Sequence, residues 1–407
     1  MKSVKLASIL FYLNSVFVVS CFVSCGSSPT EAPSLLTADI RGGMDKPGLL
    51  GLGDEIKGVT FVPLEVTTDD ASLIDGVYDY AVTDRYIYVL PVKEPRIVLF
   101  DRQGRFIRTL VKEGQGPGEF RGILPCIQVD ERNDRLFLFS NNRVWEYTLE
   151  GEFIGQSTHE YSVIYMRHIG KDRFAAISFP FQPFNGGGFG LGLFSRKGDT
   201  IAIKNDFYSF LLPHEKSGFT TSIAPAYSDA QNSVLFKTGS NDTVFCISAD
   251  RISAACVLDL KNSDAEVIRS LDVTDMSNLR IEKKDPKDIF VQDMIEFPGH
   301  YYFRLLYNQG YYIASVDKKT GKTLVEKCVM PGSIYELADA NLQHGMQGTR
   351  SYRNFPVWGR VIKDELVQVV TPYELNLYKS LRSITIPQEL DLKGEEGNPV
   401  FVFYSLI

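Results

Sequence analysis

Histidine is scarce, tryptophan scarcer, and CxxC pairs are absent altogether. The 407 residues hold five His, two Trp and six Cys. No CxxC occurs, which excludes zinc-ribbon spacing. His159, His168, His214, His300 and His344 form no HxH or HxxxH pair, so each is expected to be a core or rim histidine rather than a ligand or general base. There is no GxSxG elbow, and no Ser/His/Asp set can be assembled from spacing. Basic excess is missing as well. Lys and Arg number 43 against 50 Asp and Glu, a net charge of −7. A phosphate backbone needs a basic field, so nucleic acid is excluded as a partner. No metal and no cofactor is predicted.

What the chain has is short apolar runs rich in Phe (27) and Tyr (20), within a hydrophobic content of 44%. That is ample for a large core, and closed β architectures can use such a length as one unit. Between Gly114 and Ile154, four runs are separated by polar turns: Pro125–Asp130, Leu136–Ser140, Arg143–Tyr147 and Leu149–Ile154. Four antiparallel strands in about 40 residues is the size of one propeller blade. The pattern occurs one period earlier, from Asp75 through Tyr86–Leu90 and Arg96–Phe100 to Phe106–Leu110, with a turn at Asp101–Gly104. Weaker units follow at 161–204 and 221–260, a clear one at 288–328, and a last one around Val357–Val361 and Leu366–Val370. Counting gives six. Val267, Ile268 and Leu271 have helix-compatible spacing, and Pro372–Leu381 reads as a short helix. The fold class expected is all-β, a six-bladed β-propeller of four-stranded antiparallel blades. A ring must close to hide its edges, and Thr60–Val62 and the terminal strand near Phe401 are natural partners.

Lys2 and Lys5 precede a mostly apolar stretch, Leu6–Val23, that is short and interrupted for a membrane span. Ser24-Cys25-Gly26-Ser27-Ser28 follows and resembles the lipobox of bacterial lipoproteins, with Cys21 a competing site. The resemblance implies residues 1–25 as a signal peptide with lipidation at Cys25, export, and anchoring in the cell envelope, at the outer membrane. Residues 26–54, rich in Ser, Pro, Thr and Gly, read as a flexible tether, and 55–407 as the propeller. Cys246 and Cys256 flank a turn and could lie on neighbouring strands within reach of a disulfide, or be lone buried thiols like Cys126 and Cys328.

Gly114-Gln-Gly116-Pro117-Gly118-Glu119-Phe120, with Pro125, Ile127, Asp130 and the Arg143-Val144 strand, resembles an NHL-type propeller repeat. The run Phe61–Thr68, the Phe100–Ile107 turn and the Asn398-Pro399-Val400 ending extend the likeness to six-bladed β-propeller lipoproteins of gut-type Gram-negative bacteria. The resemblance implies architecture and address, not chemistry. It suggests a binding or scaffold module for a glycan, a peptide or an envelope protein. The alternative is a metal-dependent hydrolase or lyase of the NHL or lactonase kind, with its site in the central channel.

Three segments invite a site. Gly114, Gly116 and Gly118, with Pro117, Glu119 and Phe120, could cradle an anion, but a strand follows where a phosphate loop needs a helix. A tight blade-to-blade crossing, plugged by Phe120, is the expectation. Phe179, Phe181, Phe184 and Phe189 flank the glycine run 186–188 and could stack on sugar rings or peptide side chains. Asp130–Asp134 and Asp317–Gly321 match no EF-hand and are expected to be turns.

Overall fold

The computed structural model describes residues 35–48, 55–68, 71–121, 126–140, 142–159, 163–178, 181–182, 191–204, 210–211, 226–230, 233–237, 242–261, 289–308, 310–328, 360–380 and 397–407. The architecture is that of the unit from Leu36 to Ile407. The unit begins with β1 (Leu36–Ala38), α1 (Ile40–Asp45) and β2 (Ile56–Pro63). Blade 1 holds β3 (Val77–Val82), β4 (Tyr86–Pro91), β5 (Arg96–Asp101) and β6 (Phe106–Lys112). Blade 2 holds β7 (Cys126–Asp130), β8 (Arg135–Ser140), β9 (Arg143–Tyr147) and β10 (Phe153–Thr158). In blade 3, β11 (Val163–His168) and β12 (Arg173–Ser178) precede a detour, β13 (Phe181–Gln182), before β14 (Leu191–Ser195) and β15 (Thr200–Lys204). β16 (Phe210–Leu211) pairs with β13 in parallel.

Blade 4 holds β17 (Ala226–Ala230), β18 (Ser233–Lys237), β19 (Thr243–Ser248) and β20 (Ile252–Leu258). Blade 5 holds β21 (Phe290–Glu296), β22 (His300–Tyr307), β23 (Gly310–Asp317) and β24 (Thr323–Cys328). Blade 6 has β25 (Arg360–Ile362), β26 (Glu365–Val370), helix α2 (Pro372–Ser380) and β27 (Val400–Leu406), and β2 completes it. The protein is a six-bladed β-propeller.

The middle strands explain the uninterrupted apolar runs. In β4, Ile87 and Val89 face blade 6 and pack with Phe401 and Phe403, whereas Tyr88 and Leu90 face blade 2 and pack with Leu138 and Trp145. A strand between two blades has no wet face, so period-2 alternation disappears from its sequence. The rim strand β10 lies at a sheet edge, and from Gly155 onward its residues alternate between half-buried and exposed.

Closure pairs Thr60 with Phe403 and Val62 with Phe401. Asn398, 3% exposed, ties the seam: its Oδ1 accepts from Ile74 N (2.7 Å), and its Nδ2 donates to Glu65 O (2.7 Å) and Ser72 O (2.8 Å). The turn at Asp101 is a side-chain cap. Its Oδ1 accepts from Gln103 N and Arg105 N, each 2.9 Å. Gly104 completes the turn at φ +82°, where a Cβ would lie 2.2 Å from Pro63 O. Asp317 accepts in the same way from Lys319 N and Thr320 N (3.0 and 2.6 Å). α2 starts with a capping box, Thr371 N to Glu374 Oε2 (2.6 Å) and Glu374 N to Thr371 Oγ1 (3.1 Å). The helix-compatible stretch around Val267 lies outside the described residues.

One expectation is corrected, and one left open is decided. Residues 36–45, assigned to the tether, belong to the propeller. β1 adds to β20 in parallel as a fifth strand of blade 4, with Leu36 opposite Cys256 and Ala38 opposite Leu258. Ala38 and Ile40 are fully buried in the core shared by blades 4 and 5. Gly43 approaches so closely that a Cβ would meet Val325 Cγ2 at 2.6 Å. A three-residue strand and a glycine-bearing turn of helix are too short to show periodicity, so composition alone read as linker. Cys246 and Cys256 lie on neighbouring strands, and of the two readings left open the lone-thiol one holds, since both are free. Cys246 faces Ser253 and Cys256 faces Val244, because a register shift after Val244 offsets them.

Candidate functional site

Among the described residues, polar side chains gather along the innermost strands and in a cleft at the rim. The first strands of neighbouring blades lie against one another. On β3, Asp79 is 5% exposed and spans three blades. Its Oδ2 accepts from Ile127 N of blade 2 (2.7 Å), and its Oδ1 accepts from Arg360 Nη2 of blade 6 (2.7 Å) and from Tyr80 N (2.9 Å). Arg360 also donates to Tyr80 O (2.7 Å) and lies 4.8 Å from the Tyr80 ring centroid. The Tyr80 hydroxyl donates to Val367 O (2.8 Å), and burial pushes its pKa up to about 12 against the pull of Arg360. From β11, Arg167 donates to Ile127 O (2.9 Å), while Gln128 Nε2 donates to His168 O (2.7 Å) and Gln128 Oε1 accepts from His168 N. Asp293 on β21 binds Met294 N (3.0 Å) and Arg304 Nη2 (3.2 Å). Asp79, Arg360, Arg167 and Gln128 stitch blade to blade, whereas the Asp293 contacts stay within blade 5. Among the described residues, no group of three or more His, Cys, Asp or Glu is placed to hold a metal ion.

The Gly114–Phe120 segment joins β6 to the next blade. Its amides are used internally: Gly116 N donates to Glu119 Oε2 (2.7 Å), Glu119 N to Gly116 O (3.1 Å) and Gly114 N to Phe120 O (3.1 Å). A Cβ on Gly114 would sit 1.9 Å from Glu119 Oε2, and Gly118, after Pro117, has φ +80°. Phe120 is fully buried among Tyr88 and Leu90 of blade 1 and Leu136 and Trp145 of blade 2. Of the aromatic loop, Phe181 stands on β13 with Phe210 as its parallel partner. Phe179, Phe184 and Phe189 lie outside the described residues, as do Cys25, His214 and His344.

A cleft of ≈ 690 Å³ opens between blades 2 and 3. Its floor is Phe137, Val144 and Phe174; one wall is β10 from Ile154 to Ser157, the other the two turns holding Asp172 and Ser195–Asp199. At its base, buried Glu146 lies between two guanidinium groups, Arg135 Nε at 2.6 Å from Oε1 and Arg196 Nε donating to Oε2 at 3.1 Å. The cross-strand neighbour of Glu146 is Gly155, where a Cβ would meet nothing within 4 Å. Glycine at that register keeps the cleft open. Arg173 and Lys197, with Asp172 and Asp199, supply charges of both signs. An apolar floor beneath mixed charges suits a dipolar, peptide-like ligand. Sequence reasoning missed this site because its walls come from β9, β10 and two turns of the next blade. One usable signal was present: β10, Phe-Ile-Gly-Gln-Ser-Thr, carries no charge.

The sequence matches the family model described as Domain of unknown function (DUF4934) over residues 35–405. The chain belongs to that family. No curated protein matches it by sequence. A solved structure from Bacteroides fragilis NCTC 9343, of a protein named only for its expected export, is similar at 14% identity with a TM-score of 0.62, covering 91% of this chain and 99% of that one. The extracellular domain of a protein named as a one-component system from B. thetaiotaomicron aligns at 10% identity and a TM-score of 0.33, over 63% of this chain and 28% of that chain. At 14% identity, the likeness to the B. fragilis structure shows the fold alone.

In this DUF4934 propeller, two buried histidines flank the cleft floor. His159 packs edge-on against Phe174 (6.5 Å) and Phe194 (6.2 Å), and neither ring nitrogen has a hydrogen-bond partner among the described residues. His168 lies 5.0 Å from Phe137 and 5.3 Å from Phe174, with Nδ1 3.6 Å from Asp130 Oδ2. Burial holds both below the 6.5 of a free histidine, a pull that Asp130 only partly offsets at His168. The unfolded chain therefore binds protons first as pH falls. The stability these groups contribute is complete above about pH 6.5 and is lost below it, down to the folded values. Melting temperature should fall between about pH 7.5 and about pH 5.5, and His159→Gln/His168→Gln should flatten that slope. An unchanged slope in the double variant would refute the assignment.

Proposed function

We propose that this DUF4934 propeller is an exported binding module of the cell envelope, anchored by lipid at Cys25 in the outer membrane, whose ligand seats in the cleft between blades 2 and 3. The observation that carries the reading is the cleft itself: an open wedge with an apolar floor, charges of both signs and a glycine where a side chain would close it. Rigid blades with variable rims favour recognition at such a place. The classes in view are glycans, peptides and envelope proteins, and the mixed charge favours a peptide. No observation among the described residues favours the metal-dependent hydrolase or lyase alternative.

Glycan and peptide arrays probed with the protein test the site. Gly155→Trp fills the cleft from an exposed strand and should weaken any array hit at least about tenfold, the loss of one well-placed contact set. Hits that ignore this substitution would move the site elsewhere. For the anchor, Cys25→Ala should abolish incorporation of a labelled fatty acid while Cys21→Ala should not; the reverse result would assign the lipid to Cys21.

A further inference from the structure

We infer that the outer edge of β10 receives an extended segment of a partner polypeptide as a fifth strand of blade 2. The inference rests on the cleft being a binding site and names its occupant. An edge strand presents a row of backbone donors and acceptors, and proteins guard such rows with charge, proline or a covering segment. Four of the six rim strands here are guarded by charge: Arg108 and Lys112 in β6, Lys204 in β15, Lys327 in β24, Lys57 in β2. The two without a charged residue are β20 and β10. β20 is covered, since β1 pairs along it. β10 ends its sheet with no strand beyond it among the described residues.

The covered edge shows what the uncovered one can hold. β1 is an extended Leu-Thr-Ala in which Leu36 is half-buried, Thr37 exposed and Ala38 buried, alternating apolar and polar. A partner strand on β10 would be built alike. Its backbone would meet the edge of Ile154–Ser157, and alternate side chains would turn toward the mouth of the cleft, beside Gly155 and Ser157 and opposite the turns holding Asp172 and Ser195–Asp199. Gly155 leaves room for the approach. Ile154, 41% exposed, offers an apolar contact beside it. This is strand addition, in which main-chain bonds give affinity and pockets for alternate side chains give specificity.

The probe is a display library of random peptides of about seven residues, panned on the full chain. Enriched peptides should alternate apolar and polar residues. Ile154→Lys, which copies the guard of the other rim strands on an exposed position, should weaken them about tenfold, as should N-methylation of alternate peptide amides, with the intervening amides insensitive. An empty selection overturns the proposal. So does a peptide whose affinity falls with Gly155→Trp yet ignores Ile154→Lys and N-methylation: the cleft then binds, but not through the edge. A peptide indifferent to all three sinks the cleft reading too. Concentration-dependent dimers abolished by Ile154→Lys would replace the partner by a second copy of this chain.

Discussion

Asp79→Ala is expected to lower the unfolding free energy by about 3–5 kcal/mol, the usual cost of removing one partner from a buried charged pair. The reason is the number of groups one carboxylate serves. Its removal leaves Ile127 N–H without the Asp79 acceptor, Tyr80 N–H without its side-chain acceptor and the Arg360 guanidinium without the Asp79 carboxylate. Those groups belong to blades 2, 1 and 6, so three blades loosen together. Asp79→Asn keeps one acceptor oxygen and should cost less. Urea unfolding of both, together with Arg360→Met and the double variant, measures the coupling. An Asp79→Ala loss below about 1 kcal/mol would show that the blades are held by packing alone and that the carboxylate is incidental.

Phe120→Ala should cost about 3–5 kcal/mol, because the ring is fully buried and its removal leaves a cavity between two blades that rigid sheets cannot collapse to fill. Phe120→Leu should cost much less. The contrast between them, read in the same urea series, separates a plug from a site: a segment that cradled an anion would be stabilised by added phosphate, whereas Gly114, Gly116 and Glu119 already spend their amides on protein acceptors. A melting temperature raised by phosphate in the unsubstituted protein, with little cost for Phe120→Ala, would reverse the assignment.

How much was legible depended on whether the signal was local. Tyr86–Leu90 and Leu136–Ser140 announced buried strands because a strand covered on both faces must be apolar throughout. The Asp101 and Asp317 turns were readable because aspartate and glycine there answer to steric needs within a few residues. The pairing of Phe61 with Val402 could be guessed from the need to close a ring. β17, Ala-Tyr-Ser-Asp-Ala, was missed, since its sequence has neither alternation nor an apolar run. β1 was missed because its strand character comes from the edge of β20, a neighbour more than two hundred residues away. The cleft failed for the same reason. Glu146, Asp172 and Arg196 have ordinary surroundings in sequence, and only the juxtaposition of blades 2 and 3 makes them one site.

The docking of β1 has a consequence for reach. Leu36 lies eleven residues after Cys25. With the lipid on that cysteine, a leash of this contour extends at most about 36–40 Å, against about 100 Å for one running to residue 54. On the proposed lipid anchor, the docking of β1 on blade 4 is what shortens that reach. The edge used in that docking is β20, whereas β10, two blades round the ring, has no strand beyond it among the described residues.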